Sequence, residues 1–75
     1  MKYKELIELI QIRHRLIFKL YSLEYTIIIK DNKCIIYSNI DKDKLKEYNS
    51  VDELFKNYKV FGESLKDLIN KIEIK

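Results

Sequence analysis

The fold of this chain is decided by residues 25–37, which read YTIIIKDNKCIIY. Two runs rich in β-branched and aromatic residues, which favour extended backbone, flank the pair Asp31-Asn32. Asp and Asn tolerate the positive φ angles that a two-residue hairpin turn requires. The stretch therefore predicts an antiparallel hairpin that turns at Asp31-Asn32 and places Ile28 opposite Ile35.

The segment before this hairpin, residues 16–21 (LIFKLY), supports two interpretations. Its alternate residues Leu16, Phe18 and Leu20 would share one face of a strand, and Arg13-His14-Arg15 before it is a plausible polar break; this favours a strand, which would make a three-stranded meander. Its apolar residues could also extend the preceding helix, giving one long N-terminal helix followed by a two-stranded hairpin.

We favour the strand, with a link inside residues 21–24. A turn at Tyr21-Ser22 would set Lys19 opposite Glu24, and a turn at Ser22-Leu23 would set Phe18 opposite Ile27.

Residues 3–12 precede that segment and predict an amphipathic helix. Leu6, Ile7, Leu9 and Ile10 recur at helical spacing, with charged residues on the opposite side. Arg13-His14-Arg15 then forms a polar break.

The meander predicts a sheet with two different faces, because successive side chains of a strand point in opposite directions. One face would carry Leu16, Phe18, Leu20, Tyr25, Ile27, Ile29, Cys34 and Ile36. The other would carry Ile17, Lys19, Thr26, Ile28, Lys30, Ile35 and Tyr37. Short helices can cover one face of such a sheet, and the first face, which is the more apolar, is the one we expect them to cover. In the alternative arrangement, the first and last helices lie on opposite faces and bury both. We therefore expect a protein interface on the second face, at Ile17, Ile28, Ile35 and Tyr37, used by a homodimer or by another protein.

The C-terminal part predicts a connection and then two helices. Residues 38–48 are polar and lysine-rich and are interpreted as the connection. Ser50 followed by Glu53 is a capping box, which opens the first helix. Gly62 is interpreted as a break, and Ser64 as the cap of a last helix. The apolar stripe of that helix would be Leu65, Leu68, Ile69 and Ile72.

These elements predict one α+β domain over residues 1–75, with an N-terminal helix, a three-stranded antiparallel meander and two C-terminal helices. A chain of 75 residues has room for one core. Cys34 is the only cysteine and His14 the only histidine, which excludes an intramolecular disulfide and leaves no typical zinc site. No apolar run reaches the roughly 18 residues of a membrane span, and we expect a cytoplasmic protein.

No pattern in the sequence indicates catalysis, a cofactor or a metal. Cys34 lies in an isoleucine-rich strand and is interpreted as a small buried hydrophobe. The formal charge of +3 is modest and dispersed, so nucleic acid is a partner that the chain allows but does not indicate. Arg13, Arg15 and Lys19 are the candidate contacts for phosphates or for an acidic partner.

The order of helix, three-stranded meander and helix pair, with the pair written NSVDELF at residues 49–55 and GESLKDLI at residues 62–69, resembles small uncharacterised α+β proteins of low-GC bacteria and their phages. Members of this group carry an Asn-Gly-like turn where this chain has Tyr21-Ser22. The resemblance carries no established function over to this chain. The lack of a catalytic pattern, together with more Tyr and Ile than so small a chain can bury, predicts a non-enzymatic protein-binding accessory or inhibitor protein. Some phage proteins of this kind inhibit host defence systems such as CRISPR–Cas. The resemblance implies no binding residues.

Overall fold

The computed structural model describes residues 2–75 and begins with helix α1, Tyr3–Arg13. Leu6 and Ile10, one turn apart, are its buried residues. The helix ends because His14 adopts a left-handed backbone, with φ of 59°. The N–H of His14 donates to the carbonyl oxygen of Ile10 at 2.8 Å. The long N-terminal helix considered as an alternative is therefore wrong.

The remaining elements are mostly strands. They are β1 (Arg15–Leu20), β2 (Leu23–Lys30), β3 (Lys33–Ser38) and β4 (Asp41–Tyr48), then helix α2 (Val51–Asn57), then the short strands β5 (Lys59–Val60), β6 (Glu63–Ser64) and β7 (Glu73–Ile74). Five of them form one antiparallel sheet in the order β4-β3-β2-β1-β7, and β5 pairs with β6 separately.

The predicted meander is the centre of this sheet. Ile28 lies opposite Ile35, as predicted, and Lys19 lies opposite Glu24, which selects the turn at Tyr21-Ser22. Both central residues of each turn have positive φ, between 52° and 67° in the two hairpins. This is the type I′ geometry that matches the twist of the flanking strands.

Residues 41–48 form strand β4, so their prediction as a connection was wrong. Pairing with β3 holds them in place, with a register shift between Ile36 and Ser38. The strand lies at the edge of the sheet and is almost wholly exposed, so it shows no apolar alternation. Its lysines are typical of an edge strand, because charge there discourages pairing with another chain.

The predicted last helix was also wrong. Residues 59–64 form a hairpin with a turn at Phe61-Gly62, so Gly62 does not end a helix. Ser64 Oγ accepts the N–H of Asp67 at 3.2 Å, as a cap would, but only turns and the 3₁₀ segment Ile69–Lys71 follow. The alternating end of the chain then forms β7, because it can hydrogen-bond to the outer edge of β1.

Helix α2 begins where the sequence predicts it. Ser50 Oγ accepts the N–H of Glu53 at 3.1 Å. In a full capping box the backbone N–H of Ser50 would also donate to the side chain of Glu53. This second hydrogen bond is absent from the part of the chain that the structure describes, residues 2–75. Val51, Leu54 and Phe55 are the buried residues of the helix.

Both helices pack on the same face of the sheet. Their buried residues join one cluster with the buried strand residues Leu16, Phe18, Leu20, Tyr25, Ile27, Cys34 and Ile36. This confirms the predicted core face, except that Ile29 is only partly buried at its margin. No helix within residues 2–75 is long and apolar enough to cross a membrane.

Candidate functional site

The face of the sheet that the helices leave uncovered carries a group of apolar side chains, which we call the open face: Ile17, Ile28, Ile35 and Tyr37. The strand register brings them together. Thr26 lies between Ile17 and Tyr37 in one row across the sheet, and Ile28 lies beside Ile35 in the next row. All four are partly buried, yet none packs against the core cluster.

Thr26 is the polar residue at the centre of the open face. It is 2% exposed, because Ile17 and Tyr37 flank it on the neighbouring strands. Its hydroxyl donates to Asn39 Oδ1 at 2.8 Å. A partner that covered this face would therefore not leave the threonine hydroxyl without a hydrogen bond.

Charged residues border the open face in two different patterns. At one end, Lys19 lies between Glu24 and Glu73 in the strand register. Lys75 forms an ion pair with Glu24, with an Nζ–Oε2 distance of 2.6 Å. This end therefore alternates in sign.

The opposite end of the open face is mainly basic, with Glu47 of β4, which lies opposite Ile35, as the one acidic residue in the row of Ile28 and Ile35. Lys30 and Lys33 are paired next to the β2–β3 turn, and Arg15 lies across from Ile28. Positive charge therefore predominates where α1 meets the sheet.

Two of the predicted phosphate or acidic-partner contacts lie together, and the third does not. Arg13 and Arg15 line a shallow cavity of about 230 Å³, with Lys75 as a third cation and Leu16 and Ile17 as its apolar wall. Lys19 lies outside this cavity. The sequence contained no sign that Lys75 would join the two arginines, because β7 was not predicted.

Cys34 and His14 occupy very different environments. Cys34 is 4% exposed, and burial raises the pKa of its thiol, which disfavours the reactive thiolate. His14 is exposed in the turn after α1. Within residues 2–75, no three His, Cys, Asp or Glu side chains converge as a metal site would require.

An aromatic cluster at two hairpin tips was not predicted. The rings of Tyr21 and Phe61 meet edge to face, with their centroids 5.5 Å apart. Lys71 Nζ lies 5.3 Å from the centroid of the Tyr21 ring and donates to the tyrosine hydroxyl at 3.2 Å. Phe61 is 78% exposed. In the sequence, the only sign of the turn at Phe61-Gly62 is the glycine itself, which polar residues follow.

No protein-family model, no curated protein and no solved structure matches this chain.

Proposed function

We propose that this chain is a non-enzymatic protein-binding module that contacts another protein through the open face. One observation carries the proposal. Four large apolar side chains occupy the middle of the sheet, on the side opposite both helices and outside the hydrophobic core. Among protein-binding functions, we favour that of an accessory or inhibitor protein. The sequence resemblance suggests that a phage or mobile element encodes it and that it acts against a host defence system such as CRISPR–Cas.

The composition of the open face supports this function. An apolar centre with a charged border is the usual anatomy of a protein interface, and tyrosine is enriched in such centres. Fully burying an isoleucine side chain is worth about 1.5–3 kcal/mol. The three isoleucines here are only partly buried, so a partner would gain the remainder. Covering the open face would leave no polar group of Thr26 unpaired, because its hydroxyl is already hydrogen-bonded to Asn39.

The chemistry of the other side chains favours binding over catalysis. The thiol of Cys34 lies in the core with a raised pKa, and His14 has no cysteine or second histidine beside it. Pockets for drug-sized ligands begin at roughly 300 Å³. The cavity beside Arg13 and Arg15 is smaller than that.

A second candidate function is nucleic-acid binding, which the shared position of Arg13 and Arg15 favours. Phosphate contacts would make binding to an oligonucleotide fall by orders of magnitude between about 50 and 200 mM salt. Retention of an oligonucleotide with that salt dependence, in the absence of any protein partner, would support this candidate.

The variant Ile28→Lys/Ile35→Glu tests the main proposal. The two residues are cross-strand neighbours, so the introduced charges are opposite and should be tolerated on an uncovered face. We expect a folded protein by circular dichroism that no longer self-associates in light scattering, or that no longer retains the partner that immobilised wild-type protein captures.

A matched variant gives the control. Ile27→Lys/Ile36→Glu changes the neighbouring pair, also cross-strand partners, on the core face, where both residues are fully buried. It should unfold, because buried charges are costly. Unfolding of the open-face variant, or unchanged association by it, would contradict the proposal.

A further inference from the structure

Strand β7 covers only part of the outer edge of β1. Its pairs are Ile74 with Phe18 and Glu73 with Lys19, and the N–H of Lys75 donates to the carbonyl oxygen of Ile17 at 3.0 Å. Beyond Ile17 no strand within residues 2–75 continues along this edge.

The backbone of Arg15 points out of this uncovered edge. The N–H of Ile29 donates to the carbonyl oxygen of His14 at 2.9 Å, so His14 and Ile29 form a hydrogen-bonded pair. Hydrogen-bonded and non-bonded pairs alternate along an antiparallel ladder. The next pair, Arg15 with Ile28, is therefore non-bonded, and the N–H and carbonyl of Arg15 face away from β2.

The cavity of about 230 Å³ lies at the same place. Leu16 and Ile17 form its apolar wall, and Arg13, Arg15 and Lys75 surround it. Its volume suits one apolar side chain better than a cofactor. It therefore places a small apolar site directly beside unpaired backbone groups.

The cations at this cavity are not all neutralised. Lys75 is paired with Glu24. No carboxylate of residues 2–75 lies within 4.0 Å of the guanidinium of Arg13 or Arg15. Arginine side chains that have no carboxylate partner in the chain are suited to charge-assisted hydrogen bonds with the carboxylates of another molecule.

We propose that the outer edge of β1 binds an extended acidic segment of a partner protein by strand addition. The segment hydrogen-bonds to the backbone of Arg15, places one apolar side chain in the cavity and pairs its carboxylates with Arg13 and Arg15. Binding of this kind takes its affinity from main-chain bonds and its specificity from alternate side chains. This second binding site is separate from the open face and shares only Ile17 with it. The strand-addition proposal can therefore hold even if the open face binds no protein.

Peptide is favoured over nucleic acid by the same features. A nucleic acid cannot pair with the N–H and carbonyl of a strand edge as a peptide does. It also requires an extended basic track, whereas Glu24 and Glu73 lie on the same side of the sheet as Lys75.

The probe for the test is the peptide acetyl-Glu-Val-Glu-Val-Glu-amide, added at up to millimolar concentration to isotope-labelled protein. We expect the amide signals of Arg15, Ile17 and Lys75 to shift in heteronuclear NMR spectra. The shifts should weaken between about 50 and 200 mM salt. The same peptide with lysine in place of glutamate should leave these signals unchanged.

Two matched charge reversals locate the site. Arg13→Glu/Arg15→Glu should weaken binding of the probe by about tenfold or more. Both residues are exposed, so their loss should leave the fold intact. Lys42→Glu/Lys44→Glu makes the same change of charge on β4, at the other edge of the sheet, and should bind as wild type does. The open-face variant Ile28→Lys/Ile35→Glu should also retain binding, which separates this proposal from the proposed function.

Three results would overturn the inference. The first is the absence of any shift with the acidic probe, and the second is equal weakening by the two charge reversals, which would mean general attraction to a basic protein. The third is a shift of the same amides by oligothymidylate but not by the peptide, which would assign the edge to nucleic acid.

Discussion

Phe61 combines a backbone conformation and a degree of exposure that are both unusual for a large apolar residue. Its φ is 52°, and the residue is 78% exposed. A left-handed conformation of this kind is unusual for a bulky side chain. Gly62 follows with φ of 81°. The two residues form a turn in which Asn-Gly is the favoured pair. The ring of Phe61 meets that of Tyr21 edge to face, at the tip of the neighbouring hairpin.

We predict that Phe61→Asn is neutral to stabilising, by up to about 1 kcal/mol. The left-handed backbone costs an ordinary residue roughly 1–2 kcal/mol, and asparagine tolerates it better. Loss of the ring contact with Tyr21 reduces this gain in stability by about 0.5 kcal/mol or slightly more. Thermal melts would measure the change. Phe61→Ala is the control, because it removes the ring and keeps the strain; an asparagine variant that melts below it would contradict the prediction.

Helix α2 is an element whose start depends on one side chain. It spans Val51–Asn57 and is too short to be stable without caps and packing. Ser50 satisfies the N–H of Glu53, and the carboxylates of Asp52 and Glu53 lie in the first turn, where the helix dipole favours negative charge. Three of its residues then enter the core.

We predict that Ser50→Ala lowers the free energy of unfolding by about 1 kcal/mol. In a domain of this size the melting temperature should fall by several degrees. Ser50→Asn should restore most of the loss, because the asparagine side chain also accepts a hydrogen bond at this position. Equal melting of the alanine variant and the wild type would mean that the cap contributes nothing.

At the scale of the whole molecule, a hydrogen bond joins the two helices. Tyr3 Oη in α1 donates to Asp52 Oδ1 in α2 at 2.5 Å. This bond, followed by the bond from Lys56, lowers the pKa of Asp52 below 3.8. Burial, followed by the bond to Asp52, raises the pKa of Tyr3 above 10.0. Both shifts favour the pair in its native charge state, a neutral phenol and a carboxylate.

The two shifts predict a pH-dependent contribution to stability. Because folding lowers the pKa of Asp52, its contribution is present above pH 3.8 and is lost as pH falls through the lowered value. Because folding raises the pKa of Tyr3, its contribution is present below pH 10.0 and is lost as pH rises through the raised value.

We therefore predict that Tyr3→Phe destabilises the protein most between pH 3.8 and pH 10.0, and progressively less outside that range. The phenylalanine ring keeps the contact with Phe55, whose centroid lies 5.7 Å away, so the variant isolates the hydroxyl. Denaturant unfolding at several pH values measures the effect. Tyr37→Phe on the open face serves as the control, and a pH-independent difference for Tyr3→Phe would refute the role of Asp52.

Local patterns in the sequence were sufficient for the centre of the fold. The hairpin around Asp31-Asn32 was predicted with its register, because β-branched runs and a turn that accepts positive φ both act within a few residues. The cap at Ser50 was predicted for the same reason. The separation of Ile28 and Ile35 from the core residues followed from strand alternation alone.

Only the tertiary structure decided what lies at the edges of the sheet. Strand β4 is charged and exposed and has no apolar alternation, and β7 is too short for its alternation to predict a strand. Each is a strand because a neighbour supplies its hydrogen bonds. The joining of Lys75 to Arg13 and Arg15 depends on that pairing. The sequence favoured the second face as the open one, but only the packing of both helices on the first face decided it, since burial depends on contacts between segments distant in the chain.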